Sequence, residues 1–427
     1  MKGPKSIRAG LAFAAATVIK LLSGLIIIRL ISRKIGVDGL GQLGQLMSVM
    51  GIITLLAGGG IFTGLIKYVA EYREEKLELK RYLRAGSLIG AIACILLGAA
   101  LFLLAGDISQ FLFGSKKFIQ IIYVLSVFQI LIGANNFCVS IINGHQDVVG
   151  FAAININGSL LGVGIVYFLT SRFGLQGAMV GIILAPAMLG LFSIPYTFHK
   201  KLLTIDLIRP KFDKIVSTRL LGYSGMLIIT AITLPVAQIV VRKMIVAQYG
   251  WSAVGYWQGV NRVSDAYLQF VTVVLANYYL PELASAPSLD EMKKRVFSCF
   301  RIAVPTTIAM AMIIYLLKGF VIRFVFAPSF APMKSFFLFQ IIGDCLKVCS
   351  QVIGYVAVAK AMTSVYVGLE ILQSVLFIGI SYLCLKYGGP VGVTYAYAIT
   401  FVFQLGILMV LFRSYLSPSS KFYNYKV

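Results

Sequence analysis

Residues 9–41 read AGLAFAAATVIKLLSGLIIIRLISRKIGVDGLG. From 9 to 31 the run is apolar but for Thr17, Lys20, Ser23 and Arg29. A helix rising about 1.5 Å per residue needs about 20 such residues to cross the roughly 30 Å hydrocarbon layer of a bilayer. Lys2, Lys5 and Arg8, followed by the small residues Ala14 to Ala16, give the start the look of a secretion signal. The apolar run is too long for one, and another begins within about ten residues, after the turn Gly36-Val37-Asp38-Gly39-Leu40-Gly41. The stretch therefore predicts a first membrane helix, a glycine-rich turn and a second membrane helix.

Working outward, the same pattern predicts twelve spans: 9–33, 41–70, 83–105, 118–142, 149–170, 174–198, 220–247, 252–281, 296–318, 333–359, 363–386 and 389–413. With 59% hydrophobic and 12% charged residues in 427, and a mean hydropathy of +0.90, the chain is all-α and polytopic rather than soluble. Its net charge of +23 is spread over short loops, which argues against nucleic-acid binding. Loops that include Arg73, Lys76, Lys80, Arg81 and Arg84, or Lys200, Lys201, Arg209, Lys211 and Lys214, hold about twice the Lys and Arg of the alternate loops. The positive-inside rule then puts both termini in the cytoplasm. All six cysteines fall within spans and read as small apolar filler. His145 and His199 lie at span ends with no nucleophile or acid arranged beside them, so neither a catalytic nor a metal site is expected, and no cofactor.

The chain repeats itself. Gly36–Gly41 recurs as Gly250-Trp251-Ser252-Ala253-Val254-Gly255, 214 residues on. Phe128-Gln129-Ile130 recurs as Phe339-Gln340-Ile341, and Phe173-Gly174 as Tyr387-Gly388, in the same order. Such ordered echoes indicate duplication. The expected organisation is a six-helix bundle at 1–198, a cytoplasmic linker at 199–219, a second six-helix bundle at 220–413 and a cytoplasmic tail at 414–427. Because six is even, both halves enter from the same side as parallel repeats around a central cavity, a plan that works by rocking one half against the other. Gly58-Gly59-Gly60 in the second span lacks the lysine and strand of a phosphate loop and reads as close packing or a break.

Seven cations interrupt these spans: Lys20, Arg29, Lys67, Arg242, Lys243, Arg262 and Lys347. A charge at the bilayer centre costs at least about 2.5 kcal/mol unless a wet cavity or a partner receives it, so the set suggests a substrate-binding cavity for an anion. Arg29, Lys67, Arg242 and Lys243 lie near span ends, where snorkelling to the headgroups is an equal alternative. Lys20 is about 16 Å deep, near the midplane. Arg262 with Asp265, and Asp344 with Lys347, are each three apart, so each couple can meet on one helix face. These acids, with Glu370, are candidates for proton or cation coupling, and the alternative is internal neutralisation. Asn135, Asn136, Asn155, Asn157, Tyr256, Trp257 and Gln258 are candidate glycan contacts or interhelical hydrogen bonds.

The run Gly60-Ile61-Phe62-Thr63-Gly64-Leu65-Ile66-Lys67-Tyr68-Val69-Ala70-Glu71-Tyr72 resembles a hallmark of bacterial lipid-linked oligosaccharide flippases, the O-antigen translocase and lipid III flippase group. So do Leu234-Pro235-Val236-Ala237 with Arg242-Lys243, the strings Trp257-Gln258-Gly259-Val260 and Ser264-Asp265-Ala266-Tyr267-Leu268-Gln269-Phe270, and Gly343-Asp344 with Lys347 and Gly354-Tyr355. The likeness covers nearly the whole chain and is strongest to the members serving enterobacterial common antigen synthesis. It implies a twelve-helix fold of the multidrug/oligosaccharidyl-lipid/polysaccharide exporter superfamily. It also implies transfer of an undecaprenyl-diphosphate oligosaccharide from the cytoplasmic to the periplasmic leaflet, in contact with membrane lipids, with a polysaccharide polymerase and chain-length regulator as expected partners. Every one of the cations and acids above matches a position where the family tends to keep charge, except Arg262, where a small polar residue is more usual. A diphosphate suits lysine and arginine as point charge and fork. A cation-coupled drug exporter would instead favour acids over bases, a lipid II flippase shares the fold but fits the motifs less well, and a membrane enzyme needs a larger loop than the roughly 25 residues available.

Overall fold

The computed structural model describes residues 4–416, so residues 417–427 of the expected tail, Lys2, and the side chains of Lys5 and Arg8 lie outside the described part. Among the described residues the chain is helical, without strands. The helices are α1 (Pro4–Leu56), α2 (Phe62–Glu71), α3 (Lys76–Leu103), α4 (Ala105–Phe113), α5 (Ile119–Gly144), α6 (Val148–Met188), α7 (Gly190–His199), α8 (Ile205–Ile208), α9 (Lys214–Val274), α10 (Leu280–Ala284), α11 (Leu289–Leu316), α12 (Lys318–Val325), α13 (Phe337–Ala359), α14 (Thr363–Gly388), α15 (Gly392–Leu411) and α16 (Arg413–Leu416).

Among the described residues eight stretches are long and apolar enough to cross a membrane, and four of them run 47, 52, 54 and 49 residues. At about 1.5 Å per residue each of those four is more than twice the hydrocarbon thickness, so each makes two crossings. The remaining four make one each, which gives the twelve predicted spans. The sequence boundaries shift most at the third and ninth spans, where the helices begin earlier, at Lys76 and Leu289.

The doubled helices turn at glycine. In α1 the break is Gly36 (φ 70, ψ −164) and in α9 it is Gly250 (φ 75, ψ −179). This corner of backbone space is essentially closed to residues with a Cβ. No atom lies within 4 Å of a Cβ built on either residue, so conformation and not crowding demands glycine there. Gly174 (φ 56, ψ −130) inside α6 and Gly389 (φ 63, ψ −159) after α14 make the second matching pair.

Duplication extends to individual hydrogen bonds. Between α5 and α6, His145 N donates to Ile141 O, Gln146 N to Asn143 O and Asp147 N to Ile142 O, closing the helix with Gln146 at φ 59. Between α13 and α14, Lys360 N donates to Val356 O, Ala361 N to Val358 O and Met362 N to Ala357 O, with Ala361 at φ 54. Each partner in the second set lies 215 residues beyond its counterpart in the first. The halves part at the second span of each repeat. The first interrupts its helix at Gly58-Gly59-Gly60, whereas the second carries a π-helical turn at Leu275–Tyr279.

The chain forms two compact units, Met1–Ile239 and Val240–Val427. In the first, α1 packs along α6, and α5 is the hub for α2, α3, α6 and α7. The first part of α9, residues 214–239, belongs to this unit: Gln45 Nε2 donates to Ile239 O, and Ser48 Oγ to Gln238 Oε1 at 3.1 Å. In the second, α13 packs on α11 and α15, and α14 on α15, around Tyr267, Leu275, Val352, Val356 and Leu408. Large apolar side chains such as Leu103, Phe173, Leu316 and Tyr387 remain exposed, which suits a lipid solvent, while backbone polar groups are satisfied within the helices.

Candidate functional site: the charges of the membrane spans

In the first unit Lys20 and Lys67 are exposed and Arg29 is half-buried. Lys67 Nζ lies 5.2 Å from the centre of the Tyr68 ring, a cation–π contact. Tyr68 in turn stacks on Tyr82 at 4.4 Å, Tyr82 stacks on Tyr72 at 5.2 Å, and Arg219 Nη1 donates to the Tyr82 hydroxyl at 3.2 Å. The second span of this unit therefore ends in a tyrosine stack bordered by two cations. Two of the candidate glycan contacts are occupied by the fold: Asn135 Oδ1 accepts from Ser193 Oγ at 2.8 Å, and Asn136 Nδ2 donates to Thr54 O at 3.0 Å. Asn155 donates to Phe151 O one turn back. For Asn135 and Asn136 the interhelical alternative is the observed one.

In the second unit the charges are built into packing. Arg242 is 3% exposed; its Nη2 donates to Gln258 Oε1 at 2.9 Å and its guanidinium lies 5.4 Å from the Trp257 ring centre. Arg242 sits eight residues before Gly250 and Gln258 eight after, so the glycine hairpin brings them opposite one another. Snorkelling is thereby excluded for Arg242, and Gln258 and Trp257 serve to hold it. Its neighbour Lys243 is exposed.

The two couples expected on single helix faces behave differently. Arg262 Nη1 meets Asp265 Oδ2 at 3.5 Å, with the Asp265 side chain 62% exposed. Asp344 is fully buried and makes no ion pair with Lys347; its carboxylate accepts from the Tyr267 hydroxyl at 2.5 Å, the Tyr397 hydroxyl at 3.0 Å and Gln340 Nε2 at 3.4 Å. Three spans thus converge on one acid. Lys347 is the charge that acts on both Asp344 and Glu370, and Tyr366 stands one turn before Glu370 on α14. The helix spacing that lets Asp344 reach Lys347 loses to phenol donors supplied by α9 and α15. Sequence reasoning missed Tyr267 and Tyr397 because their partner lies 77 and 53 residues away.

The linker between α7 and α9 carries a second charged cluster. Asp206 receives Lys80 Nζ at 2.5 Å and Arg84 Nη2 at 2.6 Å, and Asp213 receives Arg81 Nη2 at 2.8 Å. The Lys80 hydrogen bond, followed by the charges of Lys80 and Arg84, holds the Asp206 carboxyl below its ordinary value. Asp213 is lowered first by the backbone N–H of Val216 and then by Arg81.

Twelve crossings in two matched sets define a duplicated, multi-pass membrane protein. The chain belongs to the polysaccharide biosynthesis protein family, whose model matches residues 7–287. It is 32% identical over 396 residues to the lipid III flippases of Escherichia coli K12 and Shigella flexneri, covering 92% of this chain and 95% of each relative. The inward-facing conformation of a multidrug resistance MATE family transporter of the MOP superfamily superposes with a TM-score of 0.79 at 15% identity, covering 94% of this chain and 96% of that one. A MOP superfamily transporter from Pyrococcus furiosus, described as having a binding pocket of reverse polarity, matches with a TM-score of 0.69 at 14% identity over 96% of both chains. At these identities the likeness to the solved structures is one of fold.

Proposed function

We propose that this protein is a flippase for undecaprenyl-diphosphate-linked oligosaccharide, of the lipid III or O-antigen unit type, moving it from the cytoplasmic to the periplasmic leaflet of a bacterial inner membrane by alternating access. The observation that carries the reading is Lys20, an exposed ammonium about eleven residues from either end of its apolar run. An exposed lysine at that depth is retained only where water or an anion receives it. The relatives similar over nearly their full length are named lipid III flippases, and the motif resemblance supports the anion class, a diphosphate whose lipid tail stays in the bilayer.

In this reading Lys20, Arg29 and Lys67 on the first bundle, and Lys243, Arg262 and Lys347 on the second, engage the diphosphate in the course of transfer. Arg242 fixes the hairpin at Gly250 through Gln258 and Trp257. Asp344, Asp265 and Glu370 couple transfer to a proton or cation, with Asp344 switching between phenol-bound and protonated forms. Both termini are cytoplasmic, the division is six spans and six, and a polymerase and chain-length regulator receive the product.

Leaflet transfer of a lipid-linked oligosaccharide in proteoliposomes tests the anion reading. Lys20→Ala with Lys347→Ala is expected to lower the transfer rate at least tenfold, and an unchanged rate overturns it. Loss of the protein in cells is expected to leave the undecaprenyl-diphosphate oligosaccharide on the cytoplasmic leaflet, and the species that accumulates identifies the glycan.

A further inference from the structure

The first unit contains a cavity of about 510 Å³ that the charged groups do not use, lined by α2, α3, α5 and α7 and roofed by linker residues Leu203, Ile208 and Pro210. Its interior offers no site for a polar head or a sugar. The Ser87 hydroxyl is engaged with Arg84 O and Ile208 O, and the Cys94 thiol with Ala57 O. The remaining lining is Gly86, Gly90, Ala91, Phe137 and similar apolar groups. Its mouth opens on an apolar surface, where Ile95 is 66% and Ile130 53% exposed.

Depth and charge select the occupant. From Gly86 to Ile95 the cavity follows α3 for about 14 Å, close to half of the roughly 30 Å hydrocarbon layer. That is the reach of one straight chain from headgroup to midplane. At the roof, Arg209 and Lys211 flank Pro210 and are exposed, while Asp206 and Asp213 are already taken by Lys80, Arg84 and Arg81. The rim is therefore positive above a hydrocarbon slot. We propose that this cavity binds one acyl chain of an anionic glycerophospholipid from the linker-side leaflet, with its phosphate held by Arg209 and Lys211. Binding requires that the chain span a bilayer and is independent of the flippase reading.

The test uses the full chain in phosphatidylethanolamine vesicles with a trace of phosphatidylglycerol bearing a diazirine on one acyl chain. Irradiation is expected to label peptides containing Gly90 to Ile95 and Ile130 to Phe137. Excess phosphatidylglycerol is expected to abolish the label. Gly90→Phe, placed where a Cβ meets nothing within 4 Å, fills the slot and is expected to reduce labelling at least fivefold. Arg209→Glu with Lys211→Glu, both on the surface, is expected to do the same without touching the packing. The proposal is overturned if labelling survives both variants, if it falls elsewhere, or if undecaprenyl phosphate competes as well as phosphatidylglycerol, since the slot would then belong to a polyprenyl chain.

Discussion

The two units share a backbone plan and differ in how they carry charge. Their hairpins turn on glycines of the same conformation at Gly36 and Gly250, and their α5–α6 and α13–α14 turns repeat the same hydrogen bonds. Yet the six spans of 1–198 contain cations and no acid, whereas those of 220–413 contain Asp265, Asp344 and Glu370 as well. In the first unit Lys20 and Lys67 are exposed; in the second Arg242 and Asp344 are sealed into networks of Gln258, Trp257, Tyr267 and Tyr397. A fold that must keep its backbone hydrogen-bonded in lipid tolerates little change at its turns, while side chains inside each bundle are free to diverge. Duplication thus supplies a repeated backbone frame on which each unit carries its own pattern of exposed and buried charge.

The largest expected effect breaks the second unit's network alone. Asp344→Leu removes the acceptor of the buried Tyr267 phenol and the part-buried Tyr397 phenol, a buried donor left without an acceptor costing about 1–3 kcal/mol, so the midpoint of thermal unfolding in detergent falls sharply. Asp344→Asn keeps an acceptor oxygen and is expected to fold; transfer then falls at least tenfold and loses its pH dependence. Normal transfer with an unchanged pH profile in this variant removes Asp344 from coupling.

The next effect probes what the halves share. Gly36→Ala and Gly250→Ala each force a Cβ into a backbone region it avoids, at about 1–3 kcal/mol apiece. The two losses are expected to agree within about 0.5 kcal/mol, and a large inequality would mean that the repeats are not equivalent at their hairpins. Lys20→Ala follows, with a roughly tenfold fall in transfer, about 1.4 kcal/mol, and no loss of stability, because the exposed side chain supports no packing.

The fold was legible because membrane helices announce themselves by length, and because Gly36, Gly250 and their companions stand at equal offsets. The eight-to-twelve relation between apolar stretches and crossings was less so: Gly36 and Gly250 turn the chain with a single residue outside helical backbone conformation. At the site, Arg262 and Asp265 met as their three-residue spacing required. Asp344 did not meet Lys347, since tertiary phenols from spans far away in sequence outcompeted the local partner. Arg242 read as a residue near a helix end, and only the hairpin geometry reveals it as buried.

The smallest effect belongs to the linker, where the first unit again differs from the second. The start of α3 is tied to a segment over a hundred residues away by Lys80, Arg81 and Arg84 on Asp206 and Asp213. The start of α11 is tied locally, by the Ser288 cap on Glu291 N and by Arg295 on Glu291, Ser285 and the Glu282 carbonyl. Both linker carboxyls titrate below their ordinary value in the folded chain. Their contribution is therefore complete above the unfolded carboxyl pKa of about 3.9 and is lost as pH falls through the lower folded value. The protection factor for hydrogen exchange over residues 200–213, taken relative to the intrinsic rate at each pH, is expected to fall only at that acid end, with no change between pH 6 and 8. Asp206→Asn with Asp213→Asn is expected to exchange quickly at every pH. If that variant instead exchanges like the parent at neutral pH, the ion pairs do not hold the linker, and the apolar contacts of Leu203 and Ile208 alone keep it on α3.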